Sequence, residues 1–542
     1  MAAAFVLAIA ACGPASAGGA PYPRGMDASA DRLVVSRFTH ITGVAVTQRW
    51  AFVASENGVA TFDRMLDRWL PPAGEPEPGP ARRVLGVAAH PLDDAVWIVE
   101  QSGLVYYQPA LGWSLRSTVV GIIDSVMFDR REPRGGIFAR ASGQWMRVTT
   151  TGIAMPVGAA ELPPPAARLV PPSLEALVSQ RPALRSYARL LTRDAQMRSW
   201  EPSAGAEAPD GSEVWLGTWG YGVFRMEPEF LRSVHEPYGL LDRGAGALAL
   251  ATDGVWVAGA GDARAGAVGG LVFASNDLRD WEWQLGRGLE GARARALAVR
   301  GRRAWVGTDR GAVRVELGGS PEGRVITAMH GLPADQVLSV AARMDGVWLG
   351  TARGVVFVAE TRESTTGATP RVEGGAMLSG TPVRALLPIG DTLWIGSDAG
   401  LFLLPPRRPV PVRLGGAAAG DARLTRPVHA LAHADSVVAV GTRDDVLLVD
   451  PRSGAILPTP AAANARAVGG ATSLAMDART LWIGGPSGLL VVDRVTGTSR
   501  LFGATRELPG AVHDIAITEL FAWVATPEGL VRLRRLGDGS VR

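Results

Sequence analysis

The stretch Asp345–Glu360, "DGVWLGTARGVVFVAE", sets a tryptophan in an apolar run, a glycine two residues later, and "TARG" before a second apolar run. Runs of this kind read as two short strands joined by a tight glycine turn. The same phrase stands before it as "RRAWVGTDRGAVRVEL" from Arg302 and after it as "DTLWIGSDAGLFLLPP" from Asp391. Aligned on the aromatic position, the series runs Phe52, Trp97, Phe138, Trp215, Trp256, Trp305, Trp348, Trp394, Ala439, Trp482 and Trp523. These eleven copies are spaced 41 to 49 residues apart, except for one gap of 77.

A further apolar segment precedes each core phrase, as in "VLSVAARMDG" from Val337 and "VRALLPIGD" from Val383. Turn signals such as "DPRSG" at Asp450 and "DRVTG" at Asp493 follow the third segment. One unit is therefore four short strands over roughly 45 residues, the period of a β-propeller blade. The expected fold is all-β, a propeller of about eleven four-stranded blades. Eleven exceeds the roughly four to eight blades of common rings, so two tandem rings are expected, with blades of the first over 31–300 and of the second over 301–542. One unusually large ring is the alternative. The last copy stops after its third strand, and "DRLVVSRFTH", Asp31 to His40, is placed to supply the missing outer strand and remove a sheet edge. In each copy the aromatic side chain is expected to fill the space between neighbouring sheets. The glycine after it marks close backbone approach or a bulge.

The 77-residue gap holds "PPSLEALVSQRPALRSYARLLTRDAQMRSW", Pro171 to Trp200. Leu184, Tyr187, Leu190 and Leu191 fall at helical spacing, and Ser173 is a plausible N-cap. One or two short helices are expected within this insertion, 171–200, starting near Ser173. They would lie against the propeller or between rings.

The pattern "HGLPADQVLSVAARMDGVWLGTARGVVFVAE", His330 to Glu360, resembles the two-component-regulator propeller repeat. "ALLPIGDTLWIGSDAGLFLL" and "SLAMDARTLWIGGPSGLLVVD" resemble it as well. The resemblance covers most of the chain from about residue 210 and is looser from residue 32. It implies an extracytoplasmic, sensor-like propeller that recognises glycans or other ligands. No kinase or receiver pattern accompanies the blades, so phosphotransfer is not implied.

The chain begins "MAAAFVLAIAACGPASAGGAPYPRG". Residues 2–11 are too short to span a bilayer, which takes about 20 residues, and suit a signal-peptide apolar region. "IAAC", Ile9 to Cys12, resembles the bacterial lipobox, although no basic residue precedes the run. That resemblance implies a signal peptide over 1–11, lipidation of Cys12, a tether over 12–30, and attachment to the cell envelope by the lipid anchor only. Cleavage after "ASA" at Ala17, releasing a secreted protein, is the alternative. Cys12 is the only cysteine of the 542 residues, so on either reading no disulfide supports the fold.

All 55 basic residues are arginine, set against 52 acids and spread along the chain. Nucleic-acid binders concentrate positive charge on one face, so no nucleic-acid partner is expected. The absence of lysine excludes Schiff-base and P-loop lysine chemistry. No hydrolase, zinc-protease or dinucleotide motif is present. His429 and His433 in "HALAH" would suit a metal on a helix, but the repeat puts them on a strand, where four residues span roughly 13 Å. No metal and no cofactor are expected.

Ligand-binding candidates come from two places. The second residue of the inner strand is Arg295, Arg384, His429 and His513 in four different copies. If those blades share a ring, the four side chains surround one channel and attract an anion. The alternative is that they point between blades or pair with acids. Trp219 and Tyr221 in "TWGYG" occupy a turn after a strand, and His330 in "MHGLPADQ" a blade-connecting loop, where glycan or partner contacts are expected. The leading expectation is a non-catalytic propeller binding a glycan, another small ligand or an envelope protein. A propeller-type polysaccharide lyase or glycoside hydrolase is the first alternative, and a structural scaffold of an envelope complex the second.

Overall fold

A computed structural model describes residues 31–541 apart from 72–83, 102, 112, 120, 172, 230–231, 262–267, 320–322, 361–370, 407–409, 416–420 and 537–540. Cys12, the expected signal peptide and the tether lie outside the described residues. The described strands form eleven antiparallel sheets, ten of four strands and one of five. They follow the eleven sequence copies and are numbered here as blades 1 to 11. Blades 1 to 4 span 41–69, 84–118, 123–169 and 202–236; blades 5 to 11 begin at 245, 294, 337, 383, 430, 473 and 514. The protein is an all-β, multi-blade propeller.

Seven of the blades close on themselves. The inner strands of blades 5 (Ala245–Leu250), 6 (Ala294–Arg300), 7 (Val337–Ala342) and 8 (Val383–Ile389) touch in order. Those of blades 9 (Ala430–Ala434), 10 (Ser473–Met476) and 11 (Asp514–Ile517) continue the circle, and blade 11 touches blade 5. The aromatic series makes these contacts. Trp305 packs into the core shared with blade 7, Trp394 with blade 9, and Trp482 with blade 11. Trp394, Trp482 and Trp523 are at most 1% exposed, which makes each a dominant contributor to its inter-blade layer.

The glycine two residues after the aromatic position has a steric cause. A Cβ at Gly307 would stand 2.8 Å from Val337, at Gly350 2.8 Å from Val383, at Gly396 2.7 Å from Val428, and at Gly484 2.5 Å from Val512. Each contact is with a valine at, or two residues before, the start of the next blade's inner strand. The glycine is thus the socket for the following blade, and a side chain there would push the two sheets apart.

Blades 1 to 4 form an open arc. The inner strand of blade 1 (Ile41–Val46) lies between those of blade 4 (Pro202–Glu207) and blade 2 (Val84–Ala88). Blade 3 joins blade 2 through Trp97, Phe128, Ile137 and Ala139. Gly217 of blade 4 is a socket too: a Cβ there would meet Ile41 of blade 1 at 2.4 Å. The spatial order is therefore 4, 1, 2, 3. In blade 3 the socket position is Arg140, half-exposed and paired with Asp124 at 2.7 Å, and the arc stops there. On the other flank, helices α1 (Leu174–Gln180) and α2 (Pro182–Leu191) take the place of a preceding blade. Ser173 caps α1 by accepting the Ala176 N–H at 3.1 Å, and Pro182 occupies the first turn of α2, where its missing N–H costs nothing. Leu177, Leu184 and Leu191 pack on Val214, Leu216 and Met226 of blade 4.

The N-terminal strand Arg32–Val35 pairs with Gly529–Arg534 and completes blade 11. From there the chain leaves the ring, builds the arc, and returns to start blade 5. Entry and exit are tied together. The Phe38 N–H donates to the Leu240 carbonyl and the Leu240 N–H to the Ser36 carbonyl, each at 3.1 Å. The arc is thus an insertion between the closing strand and the first blade of the ring. It leans on the ring through an aromatic layer, in which Trp69 and Tyr238 stand 4.8 Å apart and Tyr238 meets Trp281 of blade 5 at 5.3 Å. The two rings expected from the sequence are one closed ring of seven and one open arc of four. The division expected at residue 300 falls inside the blade 6 hairpin. The change from arc to ring lies between Glu236 and Ala245.

Candidate functional site

The ring axis opens into a cavity of about 280 Å³ lined by Gly246, Arg295, Leu338, Arg384, His429, Thr472 and His513. Each is the second residue of one blade's inner segment, so the cavity is a ring of seven equivalent positions. A bulge puts them there. In blade 6 the pairing runs Ala294↔Thr308 and then Ala296↔Gly307, skipping Arg295. In blade 8 it runs Val383↔Ser397 and then Ala385↔Gly396, skipping Arg384. In blade 9 both His429 and Ala430 face Gly441, the His429 N–H donating to its carbonyl at 2.8 Å. In blade 11 the His513 N–H donates likewise to Ala525 at 2.8 Å, and Asp514 pairs with the same residue. A bulged residue drops out of the strand's alternation, so its side chain leaves the inter-blade layer and turns into the channel mouth.

The four basic residues differ in what holds them. Arg384 is gripped by Asp398 at 2.5 and 3.0 Å, a two-pronged pair that raises its pKa. Arg295 makes no ion pair among the described residues. Burial, with the charges of Arg293 and Arg384, lowers its pKa, against the pull of Asp309. His513 donates Nδ1–H to the Ala245 carbonyl of blade 5 at 3.0 Å, since a carbonyl only accepts. Its pKa is lowered by burial and then by Arg293 and Arg295. That of His429 is lowered by burial and by Arg384 and Arg443, against Asp398. Both shifts favour the neutral imidazole, and an anion in the cavity would act against them.

Beneath the mouth, Asp514 joins three blades. Its carboxylate accepts from Leu248 N–H of blade 5 at 2.9 Å, from the Ser473 hydroxyl of blade 10 at 3.2 Å, and from Ile515 N–H at 2.9 Å. Burial pushes its pKa up to about 6 despite these three donors. Together with His513 it ties the seam where the ring closes.

The other candidates lie elsewhere. Trp219 is 55% exposed on the arc and meets His40 edge-on at 5.0 Å. Tyr221, expected on the loop face, is a core residue at 4% exposure. It is sandwiched between Trp200 at 5.6 Å and His235 at 4.3 Å, both stacked, with Trp283 edge-on at 5.5 Å. It therefore presents no surface to a glycan. His330 is exposed, but its Nδ1 accepts the Thr327 N–H at 3.1 Å, so it caps its own turn, and it does not line the cavity. Gly246, Arg293, Leu338, Thr472 and Pro486 are among the lining groups not singled out from sequence. Leu338 and Thr472 share the register of the four basic residues, so the alignment that found those contained them. Asp398, two residues beyond the blade 8 socket glycine, was the signal for the Arg384 pair. No helix is long and apolar enough to cross a membrane, and no group of three or more metal-ligating side chains occurs, among the described residues.

No protein-family profile matches the chain, and no curated protein matches it. Among solved structures it is similar to the extracellular domain of BT4673 from B. thetaiotaomicron, described as a one component system in one structure and a hybrid two component system in another. Identity is 14% in both, with TM-scores of 0.41 and 0.42, over 93% and 91% of this chain. The chain spans 65% and 64% of those domains. PorZ, a surface component of the type-IX secretion system of Porphyromonas gingivalis, is similar at 12% identity and a TM-score of 0.43, over 92% of this chain and 74% of PorZ.

Proposed function

We propose that the protein is a non-catalytic, extracytoplasmic propeller that binds an anionic ligand at the channel mouth of its seven-bladed ring. One observation carries this reading: Arg295, Arg384, His429 and His513, each from a different blade, line one cavity. Positive groups gathered in a low-dielectric mouth raise the local concentration of an anion and strengthen each contact with it. The carboxylates near the mouth are already engaged. Asp398 is held by Arg384, and Asp309 accepts the Arg293 N–H at 2.9 Å. Glycoside hydrolysis needs two carboxyl groups flanking an open substrate site, so the binding role is favoured over the hydrolase. Export is supported by the apolar run 2–11 and the lipobox-like "IAAC".

A thermal-shift screen with acidic and neutral oligosaccharides and small anions tests this. Acidic ligands should stabilise the wild type and leave Arg295→Ala/Arg384→Ala unshifted. Equal shifts in both proteins, or shifts with neutral sugars alone, would move the ligand away from the mouth.

A further inference from the structure

The mouth is small, basic and only partly neutralised, and these three properties narrow the ligand. Its volume of about 280 Å³ lies just below the range of roughly 300–1,000 Å³ typical of pockets for drug-sized molecules. An extended polymer chain would have to lie across it, whereas a single charged group fits inside. Four arginines act on the site, Arg293, Arg295, Arg384 and Arg443, against two carboxylates, Asp309 and Asp398. Positive charge is in excess before either histidine is protonated. Arg384 is committed to Asp398, while Arg293 and Arg295 have no ion pair among the described residues. A guanidinium offers a planar fork that matches an oxyanion in two-pronged fashion.

The two histidines add a conditional charge. His513 faces Arg293 and Arg295 of blade 6 and the Ala245 carbonyl of blade 5, with the buried Asp514 next in sequence. His429 faces Arg384 and Asp398 of blade 8 and Arg443 of its own blade. Thr472 and Pro486 of blade 10, which also line the mouth, do not titrate. In His513 the Nδ1–H is committed to the Ala245 carbonyl, so a proton added from solvent goes to Nε2 and turns an acceptor into a charged donor.

We infer that the mouth takes a small, doubly charged oxyanion of the sulfate or phosphate class, free or as the terminal group of a larger molecule, and that a proton is taken up on His513 or His429 as it binds. This rests on the anion-binding reading above and deepens it. Burial first, and the surrounding arginines after it, favour the neutral histidines of the empty site, and the bound dianion opposes the arginines' share.

Calorimetric titration of the full protein with sodium sulfate, in chloride-free buffer, tests it. Sulfate does not titrate near neutral pH, so any proton taken up comes to rest on the protein. Titrations at pH 7 in two buffers of different ionisation enthalpy should give heats that differ by the protonation term. The association constant should rise about tenfold from pH 8 to pH 6, as expected for one coupled imidazole. His429→Gln/His513→Gln should flatten that pH dependence, and Arg295→Ala should weaken sulfate at every pH. Sulfate bound with buffer-independent heat and a flat pH profile would overturn the proton uptake while leaving the anion-binding reading intact. Binding of a sulfated polymer without binding of sulfate or a sulfate monoester would overturn the size assignment alone. No binding of any anion would overturn both.

Discussion

The ring and the arc are built from the same repeat, yet one closes and the other does not. In the ring, blades 6 to 10 carry glycine at the socket, with the start of the next blade packed against it, and blades 5 and 11 carry alanine, Ala258 and Ala525. In the arc only blade 4 keeps that glycine. Blade 1 has Ala54, blade 2 Val99, and blade 3 Arg140. The arc ends at the blade whose socket is filled by a long charged side chain. Its other flank is covered by two helices rather than by a blade. Closure also gathers the seven bulged positions of the ring into one cavity, whereas an open arc cannot concentrate its own in the same way. The socket tolerates alanine in both regions, as Ala258 and Ala525 of the ring and Ala54 of the arc show, whereas the arc's free edge coincides with Arg140.

The largest contrast is expected between tryptophans. Trp394→Ala should cost about 3–5 kcal/mol in denaturant unfolding, because it empties a blade 8–blade 9 layer. Trp219→Ala, on the arc surface, should stay within about 0.5 kcal/mol. Equal losses would mean that the repeat's aromatic position is not what joins blades. Filling a socket comes next. Gly484→Val should destabilise by about 1–3 kcal/mol through the collision with Val512, whereas Arg140→Val, with no blade beyond it, should be close to neutral; thermal melts of the two would sharpen or erase the distinction. Removing the helix cap, Ser173→Ala, should cost about 1 kcal/mol, read as earlier melting of the arc's helical signal.

The seam makes a pH-dependent prediction. Asp514 has its pKa raised to about 6 in the fold, from 3.8 for a free aspartate. Between these values the native state binds the proton more tightly than the unfolded chain. The group's contribution to stability is therefore greatest below about pH 4 and falls as pH rises towards 6, then levels off. Asp514→Asn should remove that slope from the melting temperature over pH 4 to 6. An unchanged slope would assign it to other groups.

Much of the ring was legible because its signals are local and repeated. The aromatic, the socket glycine and the "T-x-x-G" turn recur within 11 residues, and each is read without knowing its partner. The register of Arg295, Arg384, His429 and His513 was readable for the same reason. The break in the arc was present too, as Arg140 where glycine was expected, but one substituted copy reads as divergence until the neighbouring blade is seen to be missing. Tyr221 was misread because its partners are remote. "TWGYG" looks like a surface turn, and Trp219 does face out. Gly220 and Gly222 take positive φ of 136° and 67°, which swings the residue between them inward onto Trp200, His235 and Trp283. Nothing within the pentapeptide announces those three rings. The insertion of the arc inside the ring is invisible for a related reason: it depends on where the N-terminal strand pairs, nearly 500 residues away in sequence.

The central claim is that residues 32–35 and blades 5 to 11 form one closed ring. It is tested most directly by cross-linking the seam in a Cys12→Ala background. Val34 and Val531 are direct partners in the closing pair. Antiparallel partners have Cα atoms about 4.5–5.5 Å apart, inside the range that a disulfide tolerates. Val34→Cys/Val531→Cys should oxidise to an intramolecular disulfide under native conditions, visible as a faster-migrating species on non-reducing gels and as a raised melting temperature. Two free thiols in the folded, oxidant-treated protein would contradict the closure, and with it the shared channel mouth.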